Sequence, residues 1–392
     1  MNVLVCNAGS TSLKFKLFDM RDEKLLAESK IERVGSDDAI FYYRNLITGS
    51  LIHLEKLSVP TYTEGIRMFL DCLLDVETGV LKSAGQIDRV GFKTVLAKGC
   101  YGVCELTDSV IRAMEEILCV APAHNGPYLE AIARFRELLP EAVMVGAFET
   151  AFHTTIPLER RLYPVPCEWY ETYGIQRMGY HGASHSYIAE TMAARYGLKS
   201  RIISCHLGGS CSVCAIENGE SRDTSFGFSL QTGVFHANRA GDVDAYLFPF
   251  LMSKGLSVEE ICDGLDKRGG LLGLSGISGD LRKIQQESSN PRARLAVGCF
   301  CESIVKYIGS FYAELGGLDH LVFTGGIGEN SPDIRERVCS RLRHMGIVMD
   351  FERNRTEKPD SVISADGSPV GIHVIAANEE LGVARKTFRL KL

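Results

Sequence analysis

Two widely separated stretches of this chain share one local plan, and a strand–turn–strand element repeated in both halves leaves few folds open. The first stretch is residues 2–19, NVLVCNAGSTSLKFKLFD. Residues 2–6 form an apolar strand, and residues 14–18 alternate in the period-two manner of a half-exposed strand. Between them Asn7, Ala8, Gly9, Ser10, Thr11 and Ser12 offer amide and hydroxyl groups and let a ligand approach the backbone closely. Lys14 adds a point charge just past the turn, so the turn suits phosphate groups and their metal ion. The second stretch is residues 201–217, RIISCHLGGSCSVCAIE, again strand, glycine turn (Gly208, Gly209, Ser210) and strand, with a further turn at Asn218 and Gly219. A third glycine turn, LVFTGGIGEN at 321–330, precedes Ser331, Pro332 and Asp333. Ser331 there reads as a helix N-cap and Pro332 as the first helical residue. Strand, glycine turn and helix N-terminus together favour a nucleotide phosphate or ribose. None of the three has Walker or dinucleotide glycine spacing. The repeat is the stronger sign, and it predicts two related half-molecules facing one cleft.

The rest of the pattern agrees with α/β layers. Residues 1–60 read as strands and turns, with a strand at 51–57. Amphipathic spacing predicts helices at 63–75, 108–119, 127–139, 184–196 and 257–265, and a long one at 291–315 leading to a strand at 321–324. Residues 121–125 read as an extended stretch before a helix. A strand at 143–148 delivers Glu149 at its carboxyl end. The domain boundary is expected near 150–155, giving domains 1–153 and 154–380. At 392 residues the chain is long enough for two full cores. A net charge of −6 without a basic run argues against nucleic acid or an anionic membrane as partner. No apolar run approaches the ~20 residues of a membrane span, and no secretory leader is visible, so a cytoplasmic location is expected. The odd count of 13 cysteines fits reduced, buried thiols. Cys211 and Cys214, an odd number apart in one strand, belong on opposite faces rather than around a metal.

An ordered set of motifs then resembles the acetate kinase family. They are NAGSTSLKFKLF, VAPAHNGPYLEAI, FETAFH, QRMGYHGASH, CHLGGSCSV with ENGESRDTSFGF, NRAGDVDAY, GLLGLSGISGDLR, FTGGIGENSPDIRERV and ANEELGVAR, running from residue 2 to about 387. The resemblance implies the actin/hexokinase/Hsp70-type (ribonuclease H-like) fold. That fold has two domains of similar βββαβαβα topology with ATP and substrate between them, and a last helix from about residue 381 packed on the first. It also implies Mg-dependent, reversible phosphoryl transfer from ATP to a short carboxylate, giving an acyl phosphate, and a homodimer. Phosphoryl transfer asks for positioning and positive charge around the equatorial oxygens. The matching motifs assign His181 to transition-state stabilisation, His124 to support on the substrate side, Arg239 to the transferring phosphoryl, and Glu149 to the catalytic set. Asn7 and Glu379 become the metal-side residues, with the hard oxygens magnesium prefers. Lys14, Ser10, Ser12, His206, Gly208, Gly209, Ser210, Asp280, Arg282, Gly326, Ile327, Gly328 and Asn330 are assigned to the nucleotide. Lys93, Val95, Ala123, Tyr180 and Leu230 are assigned to the acid, while His185 belongs to a helix start.

Departures from the family pattern bear on chemistry. Lys93 stands where the family carries an arginine, which loses a bidentate fork. Glu149 stands for an aspartate, one methylene longer, and Gly209 with Ser210 replaces Asn-Gly. Ala123 and Tyr180 replace a leucine-like residue and a phenylalanine, and Leu230 stands near a usual proline. Paired change in charged grip and apolar wall suggests an acid other than acetate. Two further readings stay open on the residues. One is a kinase of the same superfold acting on a hydroxyl, with Glu149 as base, or using another phosphoryl donor. The other is a nucleotide-binding regulator without turnover.

Overall fold

The computed structural model describes residues 1–9, 11–94, 96–100, 102–118 and 122–391, and side chains throughout these except at 122–124. The chain divides into two compact units, Met1–Ala151 with Asn378–Leu392, and Phe152–Ala377. Among the described residues no helix is long and apolar enough to cross a membrane.

The first unit is built on strands β1 (Asn2–Gly9), β2 (Ser12–Asp19), β3 (Lys24–Glu32), β4 (Ser36–Asn45), β5 (Leu51–Val59), β6 (Arg89–Phe92), β7 (Val103–Glu105) and β8 (Val143–Ala147). They form one sheet in the order β5-β4-β3-β2-β1-β6-β8-β7. β1 pairs antiparallel with β2, then parallel with β6, which pairs parallel with β8. On one face Phe15 stacks on Phe69 at 4.5 Å and meets Phe135 at 6.0 Å. These partners come from helices Tyr62–Leu74 and Pro122–Leu138. The first of these starts three residues after Val59 because Thr61 caps it, its hydroxyl accepting from Glu64 N. On the other face lies the final helix, Glu379–Arg389. It approaches so closely that a Cβ on Gly91 would fall 2.3 Å from Thr387 Oγ1, so β6 needs a residue without a side chain there. Arg89 caps this helix by donating to the carbonyls of Thr387 and Leu390.

The second unit holds β9 (Arg201–Leu207), β10 (Cys211–Glu217), β11 (Glu220–Thr224), β12 (His320–Thr324), β13 (Ser361–Val362) and β14 (Gly371–Val374), ordered β11-β10-β9-β12-β14-β13. Its hairpin β9–β10 is antiparallel and β9, β12 and β14 run parallel. The series β3-β2-β1-β6-β8 in one sheet and β11-β10-β9-β12-β14 in the other therefore repeat one plan: three strands by hairpins, then two parallel strands. This is the duplicated actin/hexokinase-like topology that the motifs imply. The long helix Pro291–Glu314 covers one face of the second sheet, with Phe300, Ile304 and Phe311 in the larger core. Helix Gly182–Tyr196 covers the other, where Ile188 and Met192 meet Ile202 and Ile216. Cys211 packs in the first of these cores and Cys214 in the second, which places the two thiols on opposite faces.

Three local expectations are corrected. Residues 122–125 are not extended: the helix begins at Pro122 and carries Pro127 inside it. The turn GGIGEN is itself a short helix, Gly325–Asn330, ahead of helix Pro332–Arg341. Ser331 occupies the N-cap of the latter with Pro332 first, but its side chain makes no capping bond. The final helix begins at Glu379 rather than near 381, because Asn378 is its N-cap and accepts from Leu381 N.

Candidate active site

In each unit the candidate residues collect at the carboxyl ends of the parallel strands, where open α/β sheets place their ligands. In the first unit these ends carry Asn7 on β1, Lys93 just after β6 and Glu149 just after β8, joined by Glu379 at the start of the last helix. Lys93 Nζ lies 2.5 Å from Glu379 Oε2 and 3.6 Å from Glu149 Oε1. The side chains are 17, 14 and 5% exposed respectively, so this is a buried cluster of one cation and two carboxylates. Burial works against the Lys93 ammonium, yet Glu149 and Glu379 together hold it above the ordinary lysine range. Burial also pushes the Glu149 carboxyl upward; Lys93 opposes the shift and Glu379 adds to it. Glu149 Oε1 is buried and, among the described residues, has no hydrogen-bond partner beyond its ion-pair contact with Lys93. Asn7 Oδ1 accepts from the buried hydroxyl of Tyr128 at 3.0 Å.

Among the described residues no group of three or more His, Cys, Asp or Glu has metal-binding geometry. The donors here are nevertheless the right kind for a hard divalent cation that keeps most of its waters: one amide oxygen and two carboxylates, one with an oxygen lacking a hydrogen bond. The structure thus brings Asn7, Lys93, Glu149 and Glu379 together. It places Lys93 on the two acids. Lys14 is exposed on β2, opposite Asn7 on β1 and Lys30 on β3, beside a shallow hollow of about 290 Å³ shared with Lys16, Glu28 and Glu380. Ser12 opens β2 opposite Gly9. Ser10 and Val95, and the side chains of Ala123 and His124, lie outside the described residues.

In the second unit His181 caps helix Gly182–Tyr196 with a left-handed backbone, φ 57°. Its position is held from behind: His153 Nε2 lies 2.9 Å from the Tyr180 carbonyl and must donate to it, since a carbonyl only accepts. The His153 ring presses so closely on Gly179, at φ +72°, that a Cβ there would meet it at 2.6 Å. His181 Nδ1 pairs with Ser212 Oγ at 2.8 Å, and its ring lies 4.3 Å from that of His206 and 5.1 Å from Phe226. Ser184 Oγ meets His206 Nδ1 at 2.8 Å. Tyr180 is buried with its hydroxyl donated to the Phe228 carbonyl.

Arg239 reaches this end from the loop after β11. It donates to the Leu230 carbonyl and to Ser210 Oγ, both at 2.6 Å. Among the described residues no carboxylate pairs with it, and burial lowers its pKa from the usual arginine range. His236 lies beside it, accepting from Cys211 N at 2.8 Å and stacked on Phe226. Burial, then the Arg239 charge, pushes this imidazole well below the usual range, which keeps it neutral.

The nucleotide candidates of this unit form two neighbouring groups. Gly208 and Gly326 adjoin, since a Cβ on Gly208 would lie 3.8 Å from Gly326 N, and Ala237 N donates to the Gly209 carbonyl. Gly328 and Ile327 belong to the same short helix, closed by Asn330 Nδ2 donating to the Gly326 carbonyl. Asp280 caps helix Leu281–Gln286 and takes Arg282, which is otherwise exposed, as its ion-pair partner at 2.7 Å. Beside that helix lies a hollow of about 300 Å³ lined by Ile284, Ala293, Val297, Asp333 and Arg337 among others.

Sequence reasoning did not single out Ser212, Ser204, Tyr128 or His236, and gave His185 only a helix-start role. Part of the signal was present. Ser204 and His206 alternate on β9, and Ser212 faces His206 across the hairpin, so their shared face was implicit in period two.

A profile of the acetokinase family matches residues 2–385. The acetate kinase of Geobacillus kaustophilus (strain HTA426) is 41% identical over 395 residues, covering 99% of this chain and 98% of that protein. The crystal structure of Porphyromonas gingivalis acetate kinase matches with a TM-score of 0.88 at 36% identity, over 99% of this chain and 98% of that one. A propionate kinase from Francisella tularensis subsp. tularensis SCHU S4 matches with a TM-score of 0.90 at 31% identity, over all of both chains. The similarity runs through both sheets and through every segment that carries a candidate residue, and the chain belongs to the acetokinase family.

Proposed function

We propose that this chain is a carboxylate kinase that moves a phosphoryl group between ATP and a short-chain acid, with an acyl phosphate as the other product. The observation that carries the reading is Arg239. A guanidinium buried beside a glycine turn, hydrogen-bonded to a carbonyl and a hydroxyl and, among the described residues, in ion-pair contact with no carboxylate, is a cation prepared for an anionic ligand. The relatives' names, acetate kinase and propionate kinase, agree with it and do not favour a hydroxyl kinase or a regulator without turnover.

A carboxylate is already ionised and needs no base. The protein's work is therefore to hold the acceptor oxygen in line with the phosphorus and to neutralise the charge spread over the equatorial oxygens. Arg239 supplies a fixed positive charge for those oxygens, and His181 an N–H donor. Gly208, Gly209, Gly326 and Gly328 let backbone amides approach the nucleotide, and the hollow beside the helix that Asp280 caps takes the nucleoside. Magnesium, held by Asn7 and Glu379, would neutralise nucleotide phosphate charge when bound. Lys93 limits the mutual repulsion of Glu149 and Glu379 and so holds both in place. The exchange of fork for point charge at Lys93, with the longer acid at Glu149, shifts the preferred acid away from acetate.

Acyl phosphate trapped with hydroxylamine, measured with ATP and magnesium over acetate, propionate, butyrate and substituted acids, tests both statements. No hydroxamate from any acid refutes the kinase reading. Acetate giving the highest kcat/KM refutes only the shifted preference.

A further inference from the structure

Ser212 sits between two imidazoles. Its Oγ is 2.8 Å from His181 Nδ1 and 2.8 Å from His185 Nε2, and His185 Nδ1 is 3.0 Å from Ser204 Oγ. His185, Ser204 and Ser212 are buried from solvent. Burial, followed by the charges of His153 and His206, pushes His185 well below the usual histidine range, so its ring is neutral and carries one N–H.

A hydroxyl has a single proton, so Ser212 donates to one ring and accepts from the other. The tautomers of His181 and His185 are thereby linked. If His185 held its proton on Nδ1, it would donate to Ser204, and the Ser204 proton would point into the core without an acceptor, because among the described residues Ser204 Oγ has no other hydrogen bond. If His185 holds its proton on Nε2, every proton is placed. Ser204 donates to His185 Nδ1, His185 Nε2–H donates to Ser212, and Ser212 donates to His181 Nδ1. Buried donors left unmade are the costly case, so the second arrangement is the stable one. In it a neutral His181 must carry its proton on Nε2.

We propose that Ser212 and His185 are positioning residues for His181: with Ser204 they form a directional relay that fixes its Nε2–H tautomer and presents that N–H as a donor to the transferring phosphoryl. The role of the donor rests on the carboxylate-kinase reading; the relay does not. The ring is steadied from both ends, by Ser212 at Nδ1 and by His153 through the Tyr180 carbonyl at its backbone.

The relay is read directly by long-range proton–nitrogen correlation spectra of the full chain labelled with nitrogen-15 histidine, with His181 assigned through the His181→Gln variant. The expected pattern is Nε2–H with an unprotonated Nδ1; an Nδ1–H tautomer at His181 in the wild type overturns the proposal. In Ser212→Ala the His181 signal is expected to become a tautomer mixture. Its kcat is expected to fall about tenfold or more while both KM values stay within about twofold, because the lost interaction acts on the transition state. His185→Leu should match that loss. His185→Gln, whose side-chain amide can donate from the Nε2 position, should recover most of it. A Ser212→Ala kcat within twofold of wild type, or an unchanged tautomer in that variant, overturns the proposal. If the wild type forms no acyl phosphate, the kinase reading fails while the spectra still decide the relay.

Discussion

The carboxyl ends of the two sheets solve the same problem with different chemistry. The first unit gathers charged groups, Lys93 between Glu149 and Glu379, while the second gathers hydrogen-bonded imidazoles and hydroxyls, the buried His185 and His236 neutral among them, beside the guanidinium of Arg239. A buried ion cluster is held by mutual attraction, and removing one member leaves the others uncompensated. A neutral network gains little per bond, but it fixes direction. The contrast teaches that stability and chemistry are distributed unequally. Substitutions in the first unit should strike the fold, and those in the second should strike turnover.

The largest expected effect is on turnover. Arg239→Ala should lower kcat by about a thousandfold, with a urea midpoint close to wild type. A large loss of stability in place of activity would erase the contrast. Next comes Lys93→Met, which leaves two buried carboxylates without their cation and should cost about 3–5 kcal/mol in urea unfolding. A stable Lys93→Met protein would show that water reaches this cluster freely. Smaller is Gly179→Ala, where the added methyl meets the His153 ring at a left-handed backbone. About 2 kcal/mol is expected there, with kcat reduced through the shifted His181, as a thermal melt and an initial-rate assay will show.

The smallest effect concerns a second acidic pair, Glu314 with Asp223, in the second unit. Burial, then the neighbouring Asp223, raises the Glu314 carboxyl to about 7, with Arg160 3.7 Å away. A carboxyl raised in the folded state adds stability that is complete below its unfolded value of 4.5 and is lost as pH rises through about 7. Wild-type urea midpoints should therefore fall between pH 5.5 and about 8, and Glu314→Gln should flatten that slope. A slope unchanged in the variant assigns the dependence to other groups.

How much of this was legible in the sequence depends on range. The hairpins β1–β2 and β9–β10 follow from period-two alternation and small-residue turns, which are local. The start at Pro122 was not legible, because proline usually opens a helix and Pro127 read as that opening. Helix Gly325–Asn330 has three glycines and poor propensity; Glu329 Oε1, accepting from Gly325 N and Ala377 N, secures it by contacts that no local rule foresees. The site divides in the same way. Motif resemblance marked Asn7, His181, Arg239 and Glu379 one by one. The partner of Lys93 lies 286 positions away, so its engagement with Glu379 needed the fold. The link from Ser212 to His185 likewise joins a strand to a helix across a sheet face.

One detail of the architecture bears on how the molecule is made. The helix Glu379–Arg389 fills the groove over Gly91, yet it is translated after the whole of the second unit. A growing chain can finish the second unit while the first still lacks its closing piece, so the order of completion is reversed relative to the order of synthesis. Because Glu379 arrives on that closing piece, the cluster of Lys93, Glu149 and Glu379 assembles only at the end, and a prematurely terminated chain never acquires the full acidic set.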